Sequence, residues 1–170
     1  KIMKFFKNNI KNKKFCVWGL AFKPKTDDTR FSPSIDIIDH LITKGAKIHA
    51  YDPLASHKDI FKINYKEYKN AQNAIKNTDA LIICTEWKEF WSIDPKYFLE
   101  NMKYPTIFDG RNIYDPQKMI KNGKTLGIVY GGNKKLNPIN FNKMMNFIDY
   151  ELLNNKFDNL FISTDRIDYE

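Results

Sequence analysis

Three short stretches of the chain concentrate the side chains able to hold an anion. The first, GLAFKPKTDDTRFSPS (Gly19 to Ser34), sets the cations Lys23, Lys25 and Arg30 beside Asp27 and Asp28, between an apolar run and a helix start. The second is TEWKEF (Thr85 to Phe90), and the third is DGRNIYDP (Asp109 to Pro116), which contributes Arg111. Lysine and arginine are good partners for phosphate or carboxylate, point charge in one case and planar fork in the other. Asp27, Asp28 and Asp109 suit orienting these cations, or capping neighbouring helices, better than abstracting protons. Mutual pairing of the loop charges on the surface is the plainer alternative. The first loop has a lone Gly19 rather than G-x-G-x-x-G, and it has no Walker lysine. Residue chemistry alone therefore reaches an anion site of low specificity.

Other reactive side chains point to no further chemistry. Cys16 and Cys84 lie inside the apolar runs FCVWGL and ALIICTEW without C-x-x-C spacing, and read as small buried hydrophobes. His40, His49 and His57 are scattered without ligand spacing, so no metal site is expected.

The elements that must position the three stretches follow from periodicity. Ile2, Phe5, Phe6 and Ile10 have helical spacing, which predicts a basic amphipathic helix over Ile2 to Ile10. KFCVWGL reads as a strand. Ser32-Pro33 reads as an N-cap followed by proline at the first helical position, with Ile35, Ile38, Leu41 and Ile42 as the apolar face and Gly45 as the stop. AKIHAYDP is a second strand, closed by Asp52-Pro53 because proline cannot continue a ladder. A polar helix near Tyr65 to Lys76, the strand DALIICTEW, a short helix near Pro95 to Asn101, the strand TIFDG, a turn-helix at YDPQKMI and the strand TLGIVY follow. Strands alternating with helices at short intervals predict an α/β fold, a Rossmann-like parallel sheet with helices on both faces in three layers. In such a sheet ligands bind beyond the carboxyl ends of the strands, where all three stretches fall.

The chain has 170 residues, 42% hydrophobic and 15% aromatic, enough for one packed domain and too apolar for disorder. No apolar run approaches the roughly 18 residues of a membrane span, and no signal peptide is visible, so a cytoplasmic protein is expected. The net charge of +8 owes much to Lys1, Lys4, Lys7, Lys11, Lys13 and Lys14, which read as a solvated face, with neither nucleic acid nor membrane as partner. The first residue is Lys1 rather than Met, which suggests a piece of a longer chain. Residues 1–13 are expected to form a basic lead-in helix and 14–132 the α/β domain. The tail, 133–170, is left unassigned apart from helical spacing of Phe141, Met144, Met145, Ile148 and Leu152.

Taken in order, GLAFKPKTDDTRFSPS, GAKIHAYDP, NTDALIICTEWKEF and FDGRNIYDP resemble the C-terminal domain of the UDP-glucose/GDP-mannose dehydrogenase family, over about Lys1 to Lys134. TEW and DGRN-YDP are most similar to the UDP-glucose 6-dehydrogenase branch. The resemblance implies an N-terminal NAD-binding domain, a central dimerisation helix and hence a homo-oligomer, and a C-terminal domain that binds the UDP part of UDP-glucose. It implies that Phe22, Lys23 and Arg111 contact the UDP-sugar and that Arg30 reaches towards NAD. In the family a cysteine in a Gly-Gly-x-Cys type motif carries the covalent step; neither Cys16 nor Cys84 has such flanks, so this chain is expected to bind without catalysing. The family usually places an acid after the loop arginine, where this chain has Phe31. Alternatives within reach are a UDP-N-acetylhexosamine or GDP-mannose substrate, or a non-catalytic anion-binding or assembly module.

Overall fold

The computed structural model describes residues 1–114 together with two further strands, Gly127–Tyr130 and Phe161–Ile162. In chain order the elements are α1 (Ile2–Phe5), β1 (Lys14–Trp18), α2 (Pro33–Thr43), β2 (Lys47–Tyr51), β3 (Tyr65–Glu67), α3 (Ala71–Ile75), β4 (Ala80–Ile83), α4 (Lys88–Trp91), α5 (Pro95–Asn101), β5 (Thr106–Asp109), β6 (Gly127–Tyr130) and β7 (Phe161–Ile162). The strands form one sheet in the order β3-β2-β1-β4-β5-β6-β7, and every neighbouring pair is parallel. The order reverses between β1 and β4, the switch point at which loops on opposite sides of the sheet diverge and leave a crevice.

Alternation along the central strands sends side chains to two cores. Phe15 and Val17 of β1 join Ile38 and Leu41 of α2 on one face, with Ile48 and Ile82. Cys16 and Trp18 face the other way, onto Ala74 of α3, Phe90 of α4 and Phe98 of α5. Trp18 stacks on Phe90 at 4.9 Å between ring centroids, which seats the short α4 directly after the β4 loop. Helices thus cover both faces, as the alternating pattern predicts.

Helix α2 begins as its sequence dictates. The Ser32 hydroxyl accepts from the Ser34 amide, Pro33 opens the first turn, and Gly45 takes φ +83° just past the end. Two expectations are corrected. The basic helix predicted over Ile2 to Ile10 stops at Phe5, because Lys7 and Asn8 adopt φ +48° and +60° and turn the chain away. Phe5 and Phe6 still reach the core, edge-on to Phe108 and Phe15, and Ile10 is buried. A hydrophobic clasp produces the helical spacing here.

The polar helix predicted near Tyr65 to Lys76 divides into strand β3 and helix α3. Backbone groups of β2 require a partner on that side, and Ile48 pairs with Tyr65 while the Tyr68 amide donates to Ala50. Asn70 then caps α3 through the Asn73 amide at 2.8 Å. The turn-helix at YDPQKMI and the helical spacing over Phe141 to Leu152 fall outside the described residues. Among those described, no helix is long and apolar enough to cross a membrane.

Candidate functional site at the carboxyl edge of the sheet

Four loops leave the carboxyl ends of β1, β2, β4 and β5, and one carboxylate ties three of them together. Asp52, immediately after β2, accepts through Oδ2 from the amides of Leu20 (2.7 Å) and Ala21 (3.2 Å) and from the indole nitrogen of Trp87 (3.0 Å). Through Oδ1 it accepts from the amides of Leu54 and Ala55, both at 2.9 Å. The Thr85 hydroxyl donates to the Ala21 carbonyl, so the β1 and β4 loops are also joined directly. Gly19, at φ +88°, lets these loops approach: a Cβ there would lie 2.4 Å from Cβ of Thr85.

Beyond this root the long β1 loop stands out from the sheet. Lys23 Nζ lies 5.0 Å from the Phe22 ring centre, and the Phe22 amide donates to the Asp28 carbonyl at 3.1 Å. Arg30 is 82% exposed and forks onto Asp28, with Nη2 to Oδ2 at 2.7 Å. That side-chain hydrogen bond holds the Asp28 carboxyl down at about 2. Phe31, directly after Arg30, is fully exposed at φ +59°. The acid beside Arg30 is therefore two residues upstream, in Asp28.

Arg111 projects from the turn after β5. The buried Asp109 carboxylate holds this turn by accepting from the amides of Arg111 and Tyr114, both at 3.0 Å. Burial still keeps the Asp109 carboxyl above its ordinary range. The guanidinium is bound by Glu86 of the β4 loop rather than by Asp109: Nε donates to Glu86 Oε2. Arg111 lines a cleft of about 270 Å³ whose apolar wall includes Ile2, Pro33, Ile37, Ile82 and Phe108. Phe22, Lys23 and Arg30 lie outside that lining, on the β1 loop. The expected residues thus form two groups on one sheet edge, connected through Asp52, Trp87 and Glu86. Asp52 and Glu86 are the residues that reading for cations passed over, although both lie within the quoted blocks AYDP and TEW.

Both cysteines are buried. Burial pushes the Cys84 thiol up to about 12 and Cys16 well above its usual value, so both stay protonated at neutral pH. Among the described residues no group of three or more His, Cys, Asp or Glu side chains could hold a metal ion. Arg30 is more exposed than Arg111, the other candidate cation held in an ion pair, and the sequence has no G-x-G-x-x-G turn.

His57 links the second loop to the start of α2. The Ser34 hydroxyl donates to the Leu20 carbonyl (3.0 Å) and so accepts from His57 Nε2 at 2.9 Å, which assigns the neutral Nε2–H tautomer. Nδ1 is buried and has no hydrogen-bond partner among the described residues. Burial holds the imidazole below the ordinary histidine range, against the upward pull of Glu67 and Asp52. A folded value below the unfolded one, about 6.5, makes the contribution of His57 to stability full above the unfolded value and lost as pH falls on through the lower folded one. Urea midpoints compared at about pH 7.5 and about pH 5.5 are expected to show a drop on acidification that shrinks in His57→Gln.

An open sheet in this order, with helices on both faces and cationic loops at its carboxyl edge, defines a Rossmann-like α/β domain. Residues 16–116 match the sequence profile of the UDP-glucose/GDP-mannose dehydrogenase family, UDP binding domain, and the chain belongs to that family. A UDP-glucose 6-dehydrogenase of Pseudomonas aeruginosa is 33% identical over 136 residues, 75% of this chain and 29% of the relative. UDP-glucose 6-dehydrogenase YwqF of Bacillus subtilis is 41% identical over 107 residues, 62% of this chain and 24% of the relative. This chain therefore spans 24–29% of the length of these two relatives. The solved structure of a UDP-D-ManNAc dehydrogenase from Pyrococcus horikoshii shares the fold at TM-score 0.59 and 23% identity, over 76% of this chain and 28% of that one.

Proposed function

We propose that this chain is the nucleotide-sugar-binding part of an NAD-dependent UDP-glucose 6-dehydrogenase, which converts UDP-glucose and two NAD to UDP-glucuronate. The observation that carries the reading is the profile match over 16–116, which contains Phe22, Lys23, Arg30 and Arg111 together. In this reading residues 14–132 form the UDP-sugar-binding domain, 1–13 lead in from a dimerisation region, and 133–170 are an extension without an assigned role. Lys23 and Arg111 supply positive charge for the diphosphate, and Phe22 an apolar surface beside it. NAD, held mainly by an N-terminal domain of the same enzyme, takes up the hydrides, and Arg30 faces it across the cleft. The chain alone binds UDP-glucose without turning it over, and the assembled enzyme is a cytoplasmic homo-oligomer.

Calorimetric titration with UDP tests the residue assignments. A charge-assisted hydrogen bond contributes about 1.5–3 kcal/mol, so Lys23→Ala and Arg111→Ala are each expected to weaken UDP binding roughly ten-fold or more. Arg30→Ala should leave UDP affinity unchanged, since its partner in this reading is NAD. Unchanged UDP affinity in both Lys23→Ala and Arg111→Ala would refute the substrate assignments.

A further inference from the structure

We propose that Glu86 is a positioning residue that aims the guanidinium of Arg111 into the cleft. The inference rests on the reading of Arg111 as a substrate contact and adds the residue that makes that contact effective.

Glu86 engages the side of the guanidinium, at Nε, and leaves its end clear. A guanidinium has five N–H donors. The four on the two terminal nitrogens have no hydrogen-bond partner among the described residues, and Arg111 is one of the residues that line the cleft. An anion entering there would meet two terminal nitrogens in the fork geometry that suits phosphate. The acid holding that fork is itself anchored on both sides. Thr85 is fastened to Ala21 through its hydroxyl, and Trp87 to Asp52 through its indole. Glu86 therefore holds a long, rotamer-rich side chain at a fixed point above the cleft before any ligand arrives. The Arg111 side chain retains 37% exposure and that of Glu86 32%, so the pair sits at the rim, open to an incoming anion.

The same carboxylate carries a negative charge close to where a phosphate would sit, and that charge opposes binding. The two effects have opposite signs and separate cleanly. Glu86→Gln keeps an acceptor oxygen for Nε–H and removes the charge; Glu86→Ala removes both. Preordering a side chain of this kind saves enough for Glu86→Ala to weaken UDP binding roughly five-fold, whereas Glu86→Gln should bind within about two-fold of the parent or more tightly.

The experiment is a UDP titration of the 170-residue chain as the parent, Glu86→Ala, Glu86→Gln and Arg111→Ala. It is read by calorimetry together with the Arg111 Nε–H resonance of the unliganded protein. Support is a protected Nε–H resonance in the parent and in Glu86→Gln that is lost in Glu86→Ala, with UDP affinity following the same order. Equal or tighter binding by both Glu86 variants, while Arg111→Ala still weakens binding, overturns the positioning role and leaves the substrate reading intact. Unchanged binding in Arg111→Ala overturns both. A purely structural Glu86 would lower the urea midpoint of both variants without changing UDP affinity, which also overturns it.

Discussion

Asp52→Ala is expected to destabilise the folded chain by about 3 kcal/mol or more, read as a fall in the urea midpoint. The carboxylate accepts from four backbone amides and one indole drawn from three separate segments. Removing it leaves several donors without their acceptor, and each buried donor left unsatisfied costs about 1–3 kcal/mol. Not all will be lost in full, because Leu54 is exposed and its amide can turn to water. The loss is a large fraction of the 5–15 kcal/mol that typically holds a domain together. The effect should also reach the site. Trp87 and the root of the β1 loop lose their common anchor, so UDP affinity should fall even under conditions where the variant remains folded. A stability change below about 0.5 kcal/mol, the range of ordinary surface substitutions, would mean that Asp52 does not tie the loops together.

Gly19→Ala should cost about 2–4 kcal/mol, and its counterpart Gly45→Ala about 1 kcal/mol. Both glycines have positive φ, +88° and +83°, so both substitutions carry a similar backbone penalty. They differ in what the new methyl group meets. At Gly19 it would lie 2.4 Å from Thr85 Cβ and 2.5 Å from the Thr85 amide nitrogen, neither of which can move without shifting the β4 loop. At Gly45 the nearest atom is Cγ of Lys11 at 3.2 Å, on a flexible side chain. The difference between the two variants therefore measures the collision alone. Equal urea midpoints would show that the β1 and β4 loops separate at little cost.

The parts of this fold legible in the sequence are those where local chemistry and tertiary demand agree. Helix α2 carries its own start and stop in Ser32, Pro33 and Gly45, and β4 is a run too apolar to lie anywhere but the centre of a sheet. The missed elements are those in which a distant partner decides. Tyr65–Glu67 is a strand because β2 offers it a ladder, and nothing within the polar stretch itself announces that. Residues Ile2 to Ile10 keep their apolar spacing while Lys7 and Asn8 break the helix.

The site divides the same way. Lysines and arginines are conspicuous in loops, and Arg111 does line a cleft. Asp52 reads in the sequence only as the end of a strand, because its role depends on amides 31 and 32 residues away. Glu86 was invisible for the same reason, since its partner lies 25 residues on. Resemblance to a family supplied the substrate class; periodicity and charge alone stop at an anion.

The central claim is that the carboxyl edge of this sheet recognises a uridine nucleotide. The most direct test is a pair of titrations of the unmodified chain, with UDP and with GDP, followed by calorimetry or by amide shifts in the β1, β4 and β5 loops. Losses on association consume much of the available interaction energy, so a Kd for UDP on the order of 1 mM is predicted. Sites that hydrogen-bond a ligand reject one lacking the matching groups, and GDP should bind at least about ten-fold more weakly. Equal affinity for UDP and GDP, or shifts confined to the amino edge of the sheet, would contradict the account.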